Sequence, residues 1–315
     1  MRPPAARHRP ALVAVPTALL VALAGCGTPT ADGTADAPGD VVVVEHAQGT
    51  TEVPRDPQRV VVHDLSVLDT LDALGVEVVG VPDFEAGDAL PGYEDVETVG
   101  TLHEPDVEAV AALEPDLVVV AARSSTSFDA LSEVAPTIDL TVDQADFLPS
   151  ARERVETLGE IFGLEDEVAE RLEAVDALAE ETAALAADAG TGLVVMTSAA
   201  EVGAYGAGSR FGLVHDELGV APTDPDIPDA SHGDVVSFEY LAETDPDHLF
   251  VLDRDAIIGE GGTAAAEVLD NPLVARTAAA RAGDVHYLDS FAWYIAPSGL
   301  TSLETMVGEV HAALA

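Results

Sequence analysis

Lysine is missing altogether from this 315-residue chain: all 13 basic residues are arginine, set against 58 carboxylates, for a net charge of −45. Nucleic acid binding, which rests on a cationic surface displacing counterions, is therefore disfavoured. The chain has a single cysteine, Cys26, so no disulfide can form within it. Tryptophan also occurs once, at Trp293, and aromatic residues make up only 4%. No proline lies between Pro149 and Pro222, which leaves that stretch free to be helical. The acidity reads as compositional bias. The scarcity of cations is more informative, because arginines that gather at one place in such a chain are hard to explain as solubilising surface.

The N-terminus carries Arg2, Arg7 and Arg9 before an apolar run from Ala11 to Ala24 that ends in Leu23-Ala24-Gly25-Cys26. The run is shorter than the roughly 20 residues that span a bilayer, and its layout is that of a secretion signal. Leu-Ala-Gly-Cys resembles the bacterial lipobox, so Cys26 is expected to be lipidated and to begin the mature chain. Loss of the three leader arginines takes the net charge from −45 to −48 and leaves ten basic residues. The expected layout is a signal peptide over 1–25, a flexible tether over 26–40, an N-terminal lobe over 41–148, a helical connection over 149–189 and a C-terminal lobe over 190–315. The membrane association implied is anchoring from outside the cell, not spanning.

A repeat defines the two lobes. Glu108 to Arg123 reads EAVAALEPDLVVVAAR and Glu239 to Arg254 reads EYLAETDPDHLFVLDR. Each has a glutamate, a short helical stretch, Pro-Asp, an apolar β-rich run and an arginine. Proline ends the helix and the apolar run starts a strand. Apolar runs at Val41 to Val44, Arg59 to Val62, Val76 to Val81, Leu117 to Ala121, Thr137 to Val142 and Gly192 to Thr197 alternate with helical patterns, among them Leu65 to Leu74 and Phe211 to Gly219. This is α/β order. Leu71-Asp72-Ala73-Leu74-Gly75-Val76 is echoed by His215-Asp216-Glu217-Leu218-Gly219-Val220. Val168, Leu172, Val175, Leu178 and Leu185 mark one face of a helix from about Glu165 to Asp188, roughly 36 Å long, and a final helix is expected from about Leu300 to Leu314. Ligands of parallel α/β sheets collect at the carboxyl ends of strands, so Arg123 and Arg254 are expected to face one another across a cleft.

Two α/β lobes, one long inter-lobe helix and a lipobox together resemble the class III solute-binding proteins of ABC importers. Gly49-Thr50-Thr51-Glu52-Val53-Pro54, Gly206-Ala207-Gly208-Ser209-Arg210-Phe211-Gly212, Ser231-His232-Gly233 and Trp293-Tyr294 resemble its ferric-catecholate, petrobactin-type branch. The resemblance implies that His232 and Tyr294 bind iron, that Arg123, Arg210 and Arg254 surround the anionic catecholates, and that Glu108 and Glu239 dock on the permease. It also implies a monomer with no intrinsic cofactor, whose ferric iron arrives within the siderophore. The chemistry agrees: ferric iron prefers oxygen donors and accepts imidazole, and guanidinium offers a permanent charge and a planar fork to paired oxygens.

Taken without the resemblance, His232 also reads as a solvated loop histidine, Tyr294 as aromatic packing, and Arg254 as a salt-bridge partner of Asp253 or Asp255. His63, His103, His215, His248 and His286 show no close metal-ligand spacing and are assigned structural roles. Asp234 and Ile295-Ala296-Pro297-Ser298 depart from the branch's pattern. The remaining alternatives are a cobalamin or haem carrier and an extracellular enzyme. Against the enzyme, Ser198, Ser209 and Ser231 lack a nucleophile-elbow pattern.

Overall fold

The computed structural model describes residues 40–84, 89–93, 95–227, 233–258 and 263–315. The expected leader, Cys26, nearly all of the tether and His232 lie outside the described residues. Val41–His46 (β1) alternates buried and exposed side chains and pairs antiparallel with Gly49–Pro54 (β2). The expectation grouped β1 with the α/β strands, whereas it belongs to a separate hairpin. A two-residue connection has no room for the crossover that a parallel partner requires.

The first large sheet contains β3 (Val60–Val62), β4 (Gly80–Asp83), β5 (Glu97–Thr101), β6 (Leu117–Val120) and β7 (Thr137–Asp139), all parallel, in the order β5-β4-β3-β6-β7. Helices α1 (Leu65–Ala73), α2 (Val107–Ala112) and α3 (Phe128–Ser132) fall between its strands. The chain winds outward from β3 in both directions, so the carboxyl ends of β3 and β6 form the switch point at which such sheets hold ligands. β4 starts later than the expected strand from Val76. At the end of α1, Gly75 takes φ 69° and the Val76 N–H bonds Leu71 O at 2.9 Å, which turns the chain before it can join the sheet. β7 stops short of Val142 because Asp139 turns back to accept from the Thr141 N–H at 3.0 Å.

Two helices, α4 (Phe147–Phe162) and α5 (Glu165–Ala186), lead from β7 to the second sheet. The expected helix is α5. α4 precedes it, with Gly163 in the left-handed conformation (φ 68°) between them. Val168, Leu172, Val175, Ala179, Thr182 and Ala186 are its buried face; Leu185, expected there, is exposed.

The second sheet is built from β8 (Thr191–Ser198), β9 (Glu201–Tyr205), β10 (Ala221–Pro222), β11 (Asp234–Val236), β12 (His248–Asp253) and β13 (Val285–Tyr287). Its order is β11-β9-β8-β12-β13, with β10 also on β8. β8, β12 and β13 are parallel, and β9 folds back antiparallel on β8. Helices α6 (Leu213–Asp216), α7 (Phe238–Thr244), α8 (Arg254–Ile258), α9 (Ala265–Val268), α10 (Ala278–Ala282) and α11 (Leu300–Leu314) accompany it, with a π-helical turn at Phe291–Ile295. The helix expected over Phe211 to Gly219 shrinks to α6.

The repeat is structural. α2 and α7 are capped by Asp106 and Ser237, which places Glu108 and Glu239 at the same exposed first-turn position. Both helices end on a left-handed non-glycine residue, Glu114 (φ 46°) and Asp245 (φ 48°), just before Pro115 and Pro246. The aspartates that follow these prolines act alike. Asp116 accepts from the Gln58 and Arg59 amides at 2.9 Å and Asp247 from the Thr191 amide at 2.9 Å, each fixing the start of the neighbouring segment. Gly75 and Gly219 (φ 69° and 74°) match the second echo.

α11 ties the halves together. Its leucines and valines pack with α5 and with Val194, Phe250 and Trp293 of the second half in one core. Its N-terminus meets α1 of the first half, where Thr70 Oγ1 accepts from the Leu300 N–H at 3.1 Å and Asp69 accepts from the Ser302 N–H at 3.2 Å. Arg171 on α5 clamps Glu304 with two bonds of 2.7 Å and donates to Ala73 O at 3.2 Å.

Candidate functional site

The site is assembled around Tyr294. Trp293 is fully buried, and its indole N–H donates to Glu309 on α11 at 2.8 Å. The turn is held by Trp293 N–H to Asp289 O at 3.0 Å and Ala296 N–H to Phe291 O at 3.0 Å, the second of these a π-type bond. π-turns of this kind recur at functional sites because they rotate a side chain out of helical register. With Trp293 anchored inside, half-buried Tyr294 faces a cavity of about 320 Å³ lined by Ser198, Glu201, Tyr205, Arg210 and Arg254 among others.

Three half-buried arginines meet this one residue. Arg123, just past β6, donates from Nη2 to Tyr294 O at 3.0 Å and from Nη1 to Ile295 O at 3.2 Å. Arg210 donates to the same Tyr294 carbonyl at 3.1 Å and lies 4.3 Å from the tyrosine ring centroid, within cation–π range. Arg254, immediately after β12, donates from Nε to Tyr294 Oη at 3.1 Å and from Nη1 to Ser198 Oγ at 3.1 Å. Arg55, Arg152, Arg154, Arg171 and Arg281 all pair with carboxylates. Among the described residues neither Arg123 nor Arg210 does. Asp64, buried at the N-terminus of α1, is the carboxylate whose field Arg123 feels, but it is occupied by the Ser66 and Val67 amides.

The electrostatic result is opposed effects on the Tyr294 phenol. Burial raises its pKa, whereas the hydrogen bond from Arg254 and the charges of Arg254, Arg210 and Arg123 lower it, and the lowering wins. Arg210 in turn is shifted down by burial. A phenol biased toward phenolate among guanidinium groups suits a hard cation held within an anionic ligand.

Of the residues singled out in the sequence, Arg123, Arg210, Arg254 and Tyr294 come together. The carboxylates suggested as partners for Arg254 serve backbone amides: Asp253 accepts from Ala256 and Ala265, and Asp255 from Ala199. His232 lies outside the described residues, while the next residue, Gly233 (φ 70°), sits against the Tyr205 ring, where an added Cβ would be 2.7 Å from its Cζ. Asp234 is exposed, and its strand neighbour Val235 lines the cavity; the alternation of the strand turns the carboxylate away. In the divergent segment, Ile295 supplies a carbonyl to Arg123 and Ala296 is buried. Ser198 and Tyr205 were not singled out as cavity residues. Only their placement at the ends of β8 and β9 could have marked them. His63 and His215 are buried with backbone carbonyl partners, as structural histidines are. No helix among the described residues is long and apolar enough to cross a membrane.

Residues 60–292 match the periplasmic binding protein family. The petrobactin-binding protein of Bacillus subtilis is 38% identical over 309 residues, covering 96% of this chain and 97% of its own length. The ferric-anguibactin-binding protein of Vibrio anguillarum is 32% identical over 307 residues, 95% of each chain. Among solved structures, the periplasmic catecholate-siderophore binding protein of Vibrio cholerae superposes with a TM-score of 0.82 at 36% identity, covering 87% of this chain and 100% of its own. With its two α/β sheets, its arginine-lined cavity and a full-length likeness to these binding proteins, the chain belongs to the periplasmic binding protein family.

Proposed function

We propose that the protein captures a ferric catecholate-type siderophore in the cleft between its lobes and delivers it to the permease of an ABC importer, without catalytic turnover. The observation that carries this reading is the gathering of Arg123, Arg210 and Arg254 on Tyr294, two of them with no carboxylate partner among the described residues of a chain rich in carboxylates. Catecholate oxygens would take the guanidinium forks, and the iron's open positions would go to the Tyr294 phenolate and to His232. Iron is cargo here, not a resident cofactor. A cobalamin or haem carrier fits less well, since neither ligand calls for three guanidinium groups in one small cavity. The named relatives, all binding proteins, support this reading.

Titration of the ligand-free protein with a ferric bis-catecholate tests it. Saturable quenching of Trp293, next in sequence to the iron-binding tyrosine, is expected. Tyr294→Phe should abolish the phenolate-to-iron charge-transfer contribution. Arg123→Ala and Arg210→Ala should each weaken binding by about tenfold or more, the loss of a charge-assisted hydrogen bond. Absence of saturable quenching, or a Tyr294→Phe spectrum equal to wild type, overturns the reading.

Export with lipidation at Cys26, a tether over 26–40 and action as a monomer complete the proposal. Glu108 and Glu239, at equivalent exposed positions, are the proposed permease contacts, presenting one carboxylate per lobe to paired cations. Reversal of both to arginine should stop siderophore uptake by cells while leaving binding by the purified protein intact; undiminished uptake would exclude them.

A further inference from the structure

The sequence assigns structural roles to His248 and His286, 38 residues apart. The fold brings them together with Asp284 at the end of the second sheet opposite the arginine cavity. His248 opens β12, and His286 lies on β13 opposite Phe250, two residues along from His248. Side chains alternate along strands, so Asp284 and His286, two apart, share a face with His248 and Phe250. One donor atom from each of His248, Asp284 and His286 lies within 4.8 Å of the others. β12 separates this cluster from Arg254 by about 20 Å at the usual rise per residue.

We infer that His248, Asp284 and His286 form a site for a divalent first-row cation, zinc being the best fit, distinct from the siderophore cleft. Three details carry it. His248 Nε2 lies 3.1 Å from the Ala189 carbonyl, which can only accept, so the proton sits on Nε2 and the Nδ1 lone pair is turned toward His286. Fixing the tautomer through a backbone carbonyl is how metal-binding histidines are usually oriented. His248 Nδ1 and His286 Nε2 stand 3.3 Å apart. Tetrahedral zinc with Zn–N bonds of about 2.0–2.1 Å requires its nitrogen ligands about 3.3–3.4 Å apart. Finally, the Asp284 carboxylate has no hydrogen bond or ion pair among the described residues, and one of its oxygens lies within 4.8 Å of both imidazole donor atoms. The rings of His248 and Phe250 stack at 21° and give the site an apolar wall.

The donor set is two imidazoles and a carboxylate, with a fourth position open to water. It suits zinc and its first-row neighbours, and does not suit the harder, oxygen-seeking calcium or magnesium. β13 is an edge strand of three residues. A cation there would bind it to β12 and stabilise the second half through mass action.

Zinc chloride titration of the full chain, free of any histidine tag, against a chromophoric chelator tests the proposal, with cobalt(II) as a second probe. One equivalent is expected at this site, with the intense visible bands of tetrahedral cobalt and a rise in Tm on adding zinc. His286→Ala and Asp284→Asn, both at partly exposed positions, should weaken binding by at least about tenfold and remove the Tm rise, with circular dichroism confirming that each variant is folded. Tyr294→Phe should change none of these readings. The inference is overturned if the wild type takes up no zinc, if His286→Ala binds as wild type does, or if the metal is lost from Tyr294→Phe instead. Because no siderophore is present, these results are independent of the ferric-catecholate reading.

Discussion

The chain has five tyrosines, and four of them are harder to ionise than a free phenol. Burial raises Tyr93, Tyr205, Tyr240 and Tyr287, and Tyr93 and Tyr240 are raised further by Asp72 and Asp224, the carboxylates to which they donate. Tyr294 is the exception: burial raises it, but Arg254, Arg210 and Arg123 together lower it below its ordinary value near 10. An alkaline spectrophotometric titration should therefore show one tyrosine ionising ahead of the rest, and that first step should be missing in Tyr294→Phe. Identical first steps in the two proteins would contradict the assignment. A depressed folded-state pKa stabilises the fold above the unfolded value and loses that contribution as pH falls through the folded one. The lowered value also leaves a phenol that gives up its proton to a bound cation more easily.

The junction of α1 with α11 carries a second titration. Asp69 is buried against Gly299, where an added Cβ would collide with Oδ2, and it accepts from the first-turn amide of Ser302. Burial raises this carboxyl to about 7, against the pull of the Ser302 and Thr301 amides and of Arg171. Between about pH 4 and pH 7 the folded chain thus keeps a proton that the unfolded chain releases, and the fold loses stability as pH rises through that window. Asp69→Asn keeps an acceptor for Ser302 but cannot titrate. Thermal melts should show wild type losing ground to Asp69→Asn from pH 4 to pH 7, with a constant difference above it; a difference that does not change with pH would refute the shift. Such contacts between distant segments were not legible in the sequence. The elements that were legible, α5 and α11, are long and patterned by their own periodicity. β1 differs from its expected place because a run of four valines does not reveal which strand it pairs with. The π-turn has no signature in the sequence because it depends on the packing of Trp293.

A net charge of −45 on the chain would oppose the approach of the proposed anionic ferric siderophore until the ligand came within about 8 Å of the arginines, the screening length at physiological salt. Association should accelerate as ionic strength rises from about 10 to 150 mM, the reverse of a steered encounter. Stopped-flow quenching measures this, and a rate that falls with salt would show that the whole surface attracts the ligand. The arginine cluster itself was legible because cations are rare here and two of them end matched copies of the repeat. Arg210 and Tyr294 required the resemblance, since a glycine-rich turn and an aromatic pair are common. The His248, Asp284 and His286 grouping had no local signature, because it depends on β13 lying beside β12.

The carbonyl of Tyr294 receives guanidinium hydrogens from both halves of the molecule, Arg123 from the first and Arg210 from the second. An anion bound as proposed would displace a neutral dipole at Arg123 and Arg210, which have no carboxylate partner among the described residues. Two positive charges are thus held in place by a carbonyl shared between the halves, in a chain that carries 58 carboxylates.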